Sequence, residues 1–189
     1  MVEIVTYDNV PFNEREILRY AGIKDSTLEI KSIVELCKGE VGSLSYKVCY
    51  LELPLKECAD GVIIGERKIN SLALLKNLKG LKRALVVVAS VGLEMDRLIA
   101  RYSHLSPMHG LIMHAVGVER VESLMDHFVN EYKEPLRPRF SPGFGDFDIK
   151  NQEILLSLVN ASKNIGVSLS DSFIMSPSKS VSAIIGIKE

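Results

Sequence analysis

The sequence predicts an α+β fold, a mainly antiparallel twisted sheet with helices packed around it, in a single domain over residues 1–189. Three observations carry that expectation. Stretches with strand character, such as LSYKVCYLEL, follow one another with few long crossovers. A region from about 92 to 132 has its apolar residues at helical spacing. The chain then closes on two short β-rich stretches, DSFIMS and VSAIIGI.

MVEIVTYD reads as the first strand. Asn13 then caps a short helix, NEREILRYAG, with Glu16 three residues on as a helix-start signature. A second helix covers about 26–38. LSYKVCYLEL, GVIIGERKI and ALVVVAS are read as three strands, the last apolar enough to be buried, with the helix NSLALLKNLKG between the second and the third. Punctuation at Pro107 and Gly117 divides the region 92–132 into three helices. A loop containing RFSPGFGDF (139–147) precedes the helix IKNQEILLSLVNASKNIG, which stops at Gly166.

Composition excludes several function classes. With 47% hydrophobic and 25% charged residues, the chain can bury a sizeable core. Its 23 basic and 24 acidic residues leave a formal charge of −1, so no long-range field recruits nucleic acid or an anionic membrane, and neither is expected as a partner. Cys37, Cys49 and Cys58 are odd in number and form no C-x-x-C, which argues against a disulfide framework and against zinc. The acidic start and the shortness of ALVVVASVGL give no export signal or spanning segment, so a cytoplasmic location is expected.

Two apparent motifs carry little chemistry. His104, His109 and His114 are five residues apart, which on one helix leaves neighbours about 140° apart and prevents a shared metal. Ser176-Pro177-Ser178-Lys179 matches the S-x-x-K of acylating serine enzymes, but β-forming VSAIIGI follows where a helix is needed. A turn between strands is the better reading. No metal site and no catalytic acid–base constellation is expected.

RFSPGFGDF is more informative. Pro142 fixes one backbone angle, and Gly143 and Gly145 permit positive φ, so the loop can fold tightly and bring backbone close to a ligand. Arg139 at its entrance calls for a carboxylate or phosphate to match its planar fork. That partner is either a ligand or an internal group such as Asp146 or Asp148.

Arg139 to Phe144 resembles the R-x-x-x-G-Y motif of the S-adenosylmethionine-binding reactivation domain of cobalamin-dependent methionine synthase. IGVSLSDSFIMSPSKSVSAIIGI (165–187) is similar to that domain's closing segment, VERVESLMDHFVNEY (118–132) to the helix before the motif, and SVGLEMDRLIARY (90–102) to its stand-alone form. The likeness covers about 90–187 well and the first 80 residues poorly.

The resemblance implies that Arg139 holds the carboxylate of the ligand's methionine part. Glu122, at the family's glutamate position, then meets its ammonium or ribose hydroxyls. Glu119, Glu122 and Asp126 otherwise read as one solvated helix face. Pro142, Gly143 and Phe144 belong to the same binding motif, and Asp8 in YDNVPF matches a D-x-x-P-F at the start of the family domain. Phe144 stands where the family has tyrosine, which removes a hydroxyl but keeps a ring face for a sulfonium cation. The family domain continues beyond the position of Glu189 and adds a contact there, so the pocket here is expected to be more open or completed by another chain.

The sequence has no D-x-H-x-x-G of a cobalamin module. The role implied is therefore repair: S-adenosylmethionine on this domain methylates cobalamin on a separately encoded methionine synthase chain, with flavodoxin or ferredoxin as electron donor. The alternative is an S-adenosylmethionine-binding or corrinoid-protein-binding module with no methionine synthase partner.

Overall fold

Strand β5 (Arg83–Ser90) runs through the middle of the sheet in a computed structural model that describes residues 1–188. Every residue from Ala84 to Ser90 is buried, so the strand reads as a continuous apolar run instead of alternating. Leu85, Val87 and Ala89 join the core on one face of the sheet, and Ala84, Val86 and Val88 join the core on the other. Burying each such side chain is worth about 1.5–3 kcal/mol for the larger ones.

The long β2 (Tyr46–Cys58) pairs along one side of β5 and β8 (Ser180–Gly186) along the other, both antiparallel. The free side of β2 pairs twice, with β1 (Glu3–Tyr7) along its first residues and with β3 (Gly61–Ile64) along its last. Strand β4 (Arg67–Asn70) lies beyond β3, making six strands in one antiparallel sheet. The α+β architecture expected from the sequence is the one observed.

Helices α1 (Glu14–Tyr20), α2 (Leu28–Glu40), α4 (Leu93–Leu105) and α5 (Pro107–Glu131) cover the first face. Helices α3 (Leu72–Leu78), α6 (Asn151–Leu158) and α7 (Ala161–Ile165) cover the second. Hydroxyl caps start three of them: Thr27 for α2, Ser71 for α3 and Ser106 for α5, each accepting from a backbone N–H three residues on.

Several sequence expectations need correction. Gly117 does not break the region 92–132, which forms two helices and not three. A Cβ there would lie 3.1 Å from both Lys179 Cε and Met95 Cγ, so the glycine admits close packing within a continuous helix. GVIIGERKI is a hairpin of β3 and β4, not one strand. The helix expected up to Gly166 splits into α6 and α7, because Asn160 takes left-handed backbone angles (φ 48°, ψ 49°). DSFIMS contributes only β7 (Met175–Ser176), which pairs with β6 (Ser168–Leu169) in a separate ribbon.

Asn13 occupies the N-cap of α1, but its side chain makes no cap hydrogen bond, and Glu16 bonds Arg19 instead of closing a capping box. The Asn13 backbone N–H donates to Glu119 Oε1 at 2.8 Å. Glu119 is therefore not on a solvated face. It is 1% exposed and forms an ion pair with Arg120, which is 0% exposed. Arg120 also donates to the Val10 and Pro11 carbonyls at 2.6 and 2.8 Å, and its guanidinium carbon lies 3.5 Å from the centroid of the Phe12 ring. The buried pair fastens residues 10–13, and with them the start of α1, to α5.

Candidate functional site around Arg139

Residues 136–140 run beside β8. The Arg137 N–H donates to the Gly186 carbonyl at 2.8 Å, and Phe140 and Ile184 exchange two backbone hydrogen bonds of 2.9 Å. This anchoring on both sides fixes the backbone of Arg139. Phe140 packs with the second core, whereas Arg139 reaches Glu122 on α5.

Past Phe140 the chain makes two tight turns. Phe144 N–H donates to the Ser141 carbonyl at 3.1 Å, Phe147 N–H to that of Phe144 at 2.9 Å, and Gly143 N–H to that of Phe147 at 2.7 Å. Gly143 and Gly145 have φ of 96° and 57°, the left-handed geometry that favours glycine. Pro142 and Phe147 are buried and hold the loop down. Phe147 stacks on Phe140, and Phe144 meets Phe140 edge to face at a centroid distance of 5.9 Å while remaining 54% exposed.

Neither Asp146 nor Asp148 is the partner of Arg139. Asp146 accepts from Ser71 Oγ (2.6 Å) and from the backbone N–H groups of Leu72 and Ala73 (2.8 and 3.0 Å) at the start of α3, and these bonds, the Ser71 hydroxyl first, hold its carboxyl below the usual range. Asp148 accepts from the Lys150 N–H at 2.9 Å. Arg139 bonds Glu122 through Nη2, with Asp126 at 4.0 Å. Its Nη1 is buried and has no hydrogen-bond partner. The Tyr20 phenol of α1 lies in the field of the same pair, and burial, then the Glu122 carboxylate, raise it above its ordinary value.

Of the six candidate residues, Glu122 and Arg139 are thus in direct contact, and Pro142, Gly143 and Phe144 form one turn. Phe144 makes its ring contact with Phe140 and none with the Arg139 guanidinium. Asp8 sits exposed in the bend after β1, just before the segment held by Arg120, and is not hydrogen-bonded to the other five. Sequence reasoning missed Tyr20 and Arg120. For Arg120 the signal was its place beside Glu119, a charged pair within an otherwise apolar helical stretch.

The other motifs do not converge. His104 is on α4, whereas His109 and His114 are on α5, and no cluster of three potential metal ligands occurs among the described residues. Ser176 is exposed and not bonded to Lys179, whose Nζ lies 3.0 Å from His114 Nε2. Burial lowers both groups' proton affinity, with the Lys179 charge adding to the effect on His114.

Among known proteins, residues 108–189 match the family described as vitamin B12 dependent methionine synthase, activation domain. The fold is similar to a crystal structure of the MetH reactivation domain bound to AdoHcy, with a TM-score of 0.69 at 12% sequence identity over 99% of this chain and 78% of that one. No curated protein matches in sequence. The resemblance read from RFSPGF and its neighbours is borne out as a likeness: residues 108–189 match the activation-domain model of vitamin B12 dependent methionine synthase, and the fold of nearly the whole chain is similar to that of a reactivation domain.

Proposed function

We propose that the chain binds S-adenosylmethionine at Arg139 and supports reductive methylation of cob(II)alamin held by a separately encoded methionine synthase chain. The observation that carries this reading is the Arg139 guanidinium, fixed by Glu122 on one side and left with a buried, unpartnered Nη1 on the other. A buried donor without a partner costs about 1–3 kcal/mol, which a ligand carboxylate would recover. Glu122 can hold Arg139 in place and accept from the ligand's ammonium or ribose hydroxyls. Phe144, with its ring more than half exposed, can stabilise a sulfonium by about 0.5–2 kcal/mol. Pro142 and Gly143 keep the loop backbone low beside it, and Asp8 enters as a further contact on the strength of its D-x-x-P-F resemblance.

S-adenosylmethionine supplies the methyl group, and the partner's cobalamin supplies the cobalt that accepts it, after one electron from a donor such as flavodoxin or ferredoxin. The chain's own task is to bind and orient, which agrees with the few acid–base groups at the site. The AdoHcy in the structural neighbour is the demethylated form of the proposed ligand. A cytoplasmic location accords with three cysteines that form no disulfide.

Calorimetry with S-adenosylmethionine, in the presence and absence of a cobalamin-bearing methionine synthase chain, tests the reading. Arg139→Ala should lower affinity at least about tenfold while the fold persists. Unchanged binding would overturn the site. Binding of S-adenosylmethionine without any binding of the partner would favour the module with no methionine synthase role.

A further inference from the structure

A cleft of about 300 Å³ opens between β1, β2 and the end of α5. Tyr7, Tyr50, Phe128 and Tyr132 line it, with the carboxylates of Glu3 and Glu131. Strand alternation brings Glu3 and Tyr7 to the same face of β1, and the β1–β2 register sets Glu3 directly against Tyr50. The three rings of Tyr50, Phe128 and Tyr132 are mutually inclined at 53°, 84° and 54°, with centroids 5.1 to 6.0 Å apart. They pack edge to face instead of in a flat stack, with Phe128, 3% exposed, at the base and the half-buried Tyr50 and Tyr132 inclined around it.

The electrostatics suit a cation. The Tyr50 hydroxyl donates to Glu3 at 2.6 Å and that of Tyr132 to Glu52 at 3.3 Å, so each phenol passes its proton toward a carboxylate and its ring face becomes more electron-rich. Burial, with a glutamate as the next cause, pushes the phenols of Tyr7 and Tyr132 up to about 12 and raises that of Tyr50 as well. They therefore stay protonated donors at neutral pH. Lys133, the cation at the rim, is 73% exposed and lies 3.9 Å from Glu134, while Glu131 lies 3.3 Å from His127 Nε2 and Glu3 accepts from Tyr50, so two carboxylates that touch only neutral phenols and an imidazole line the cleft beside the rings. Aromatic walls carrying negative charge at the rim recognise alkylated ammonium groups, which gain from cation–π contact and lose little hydration.

We propose that this cleft is a binding site for a methylated ammonium group, separate from the Arg139 site. The chain has no tryptophan and six tyrosines. Three of those six line the cleft, so tyrosine fluorescence reports on it directly. Titration with choline chloride, against sodium chloride at matched ionic strength, should give a saturable change. The uncharged isostere 3,3-dimethyl-1-butanol should bind at least about tenfold more weakly. Tyr50→Ala should abolish the response, and the rim variant Glu131→Gln, which leaves all rings in place, should weaken it about threefold or more. Arg139→Ala should leave it unchanged, so failure here is distinct from failure of the S-adenosylmethionine reading.

Equal binding of the isostere, or no saturable binding of choline, would overturn the proposal. So would displacement of choline by S-adenosylmethionine, which would merge the two sites. A trimethyl-lysine peptide binding about tenfold tighter than choline would identify a protein-borne source of the same group, and weaker binding a free small molecule.

Discussion

Replacing Glu119 by glutamine should destabilise the protein far more than an ordinary change on a helix. The side chain is 1% exposed and accepts twice from Arg120, once from the Asn13 backbone N–H and once from Ser123 Oγ. The substitution leaves the Arg120 guanidinium, fully buried, without its counter-charge. Breaking one side of a buried pair costs about 3–5 kcal/mol, and a chain of this length loses about 2–4 °C of melting temperature per kcal/mol, giving a drop of about 6–20 °C. The carbonyls of Val10 and Pro11 and the Phe12 ring stay close to the arginine but cannot neutralise it. Scanning calorimetry measures the drop, and limited proteolysis locates it, with new cleavage expected around residues 8–13 as the segment detaches. The double variant Glu119→Gln, Arg120→Met should recover part of the loss, since no unpaired charge remains. A melting temperature within about 3 °C of wild type for Glu119→Gln would refute the account of the pair as the fastening of the N-terminal segment.

Phe144→Tyr should bind S-adenosylmethionine about as well as wild type and melt at the same temperature, because the ring is more than half exposed and a hydroxyl can reach water. Phe144→Ala should weaken binding about three- to thirtyfold through the lost ring face, and equal calorimetric affinities for all three forms would remove Phe144 from the site. Asp146→Asn should lower the melting temperature at neutral pH, because the three donors around its carboxylate depress its proton affinity in the folded state. A depressed carboxylate stabilises above its unfolded pKa, near 3.9, and loses that contribution as pH falls through its lower folded value. The gap between wild type and Asp146→Asn should therefore be full at pH 7 and close as pH falls below the ordinary carboxylate range, and a gap independent of pH would show that the carboxylate's charge plays no part.

The legible parts of the fold are those where local signals and packing agree. β5 could be read because residues buried on both faces leave no polar interruption from Ala84 to Ala89, and Pro107 marked the start of α5 because proline is favoured in a first helical turn. Gly117 misled because the signal it gives is the same for a helix break and for close packing, and only the approach of Met95 and Lys179 decides between them. The split at Asn160 was equally hidden. Apolar spacing runs straight through LLSLVNASKNI, and one residue with left-handed angles changes the helix direction without disturbing that spacing.

The candidate site divides along the same line. The turn chemistry of Pro142, Gly143 and Gly145 is local, so the tight loop could be read from its residues alone. The partner of Arg139 could not, because a pairing across seventeen residues depends on where α5 lies relative to β8. Asp146 and Asp148 were nearer in sequence but are committed to the starts of α3 and α6, each using backbone donors that would otherwise lack partners. Glu122 is left to face Arg139, and that choice has a consequence for binding. On the proposed reading a ligand carboxylate takes Nη1, once the atoms covering it give way, while Glu122 stays on Nη2 and keeps the guanidinium oriented. Glu122→Gln should then weaken binding by loosening that orientation, even though it removes a negative charge from the neighbourhood of an incoming carboxylate. Tighter binding by Glu122→Gln would mean that the glutamate competes with the ligand for Arg139 instead of presenting it.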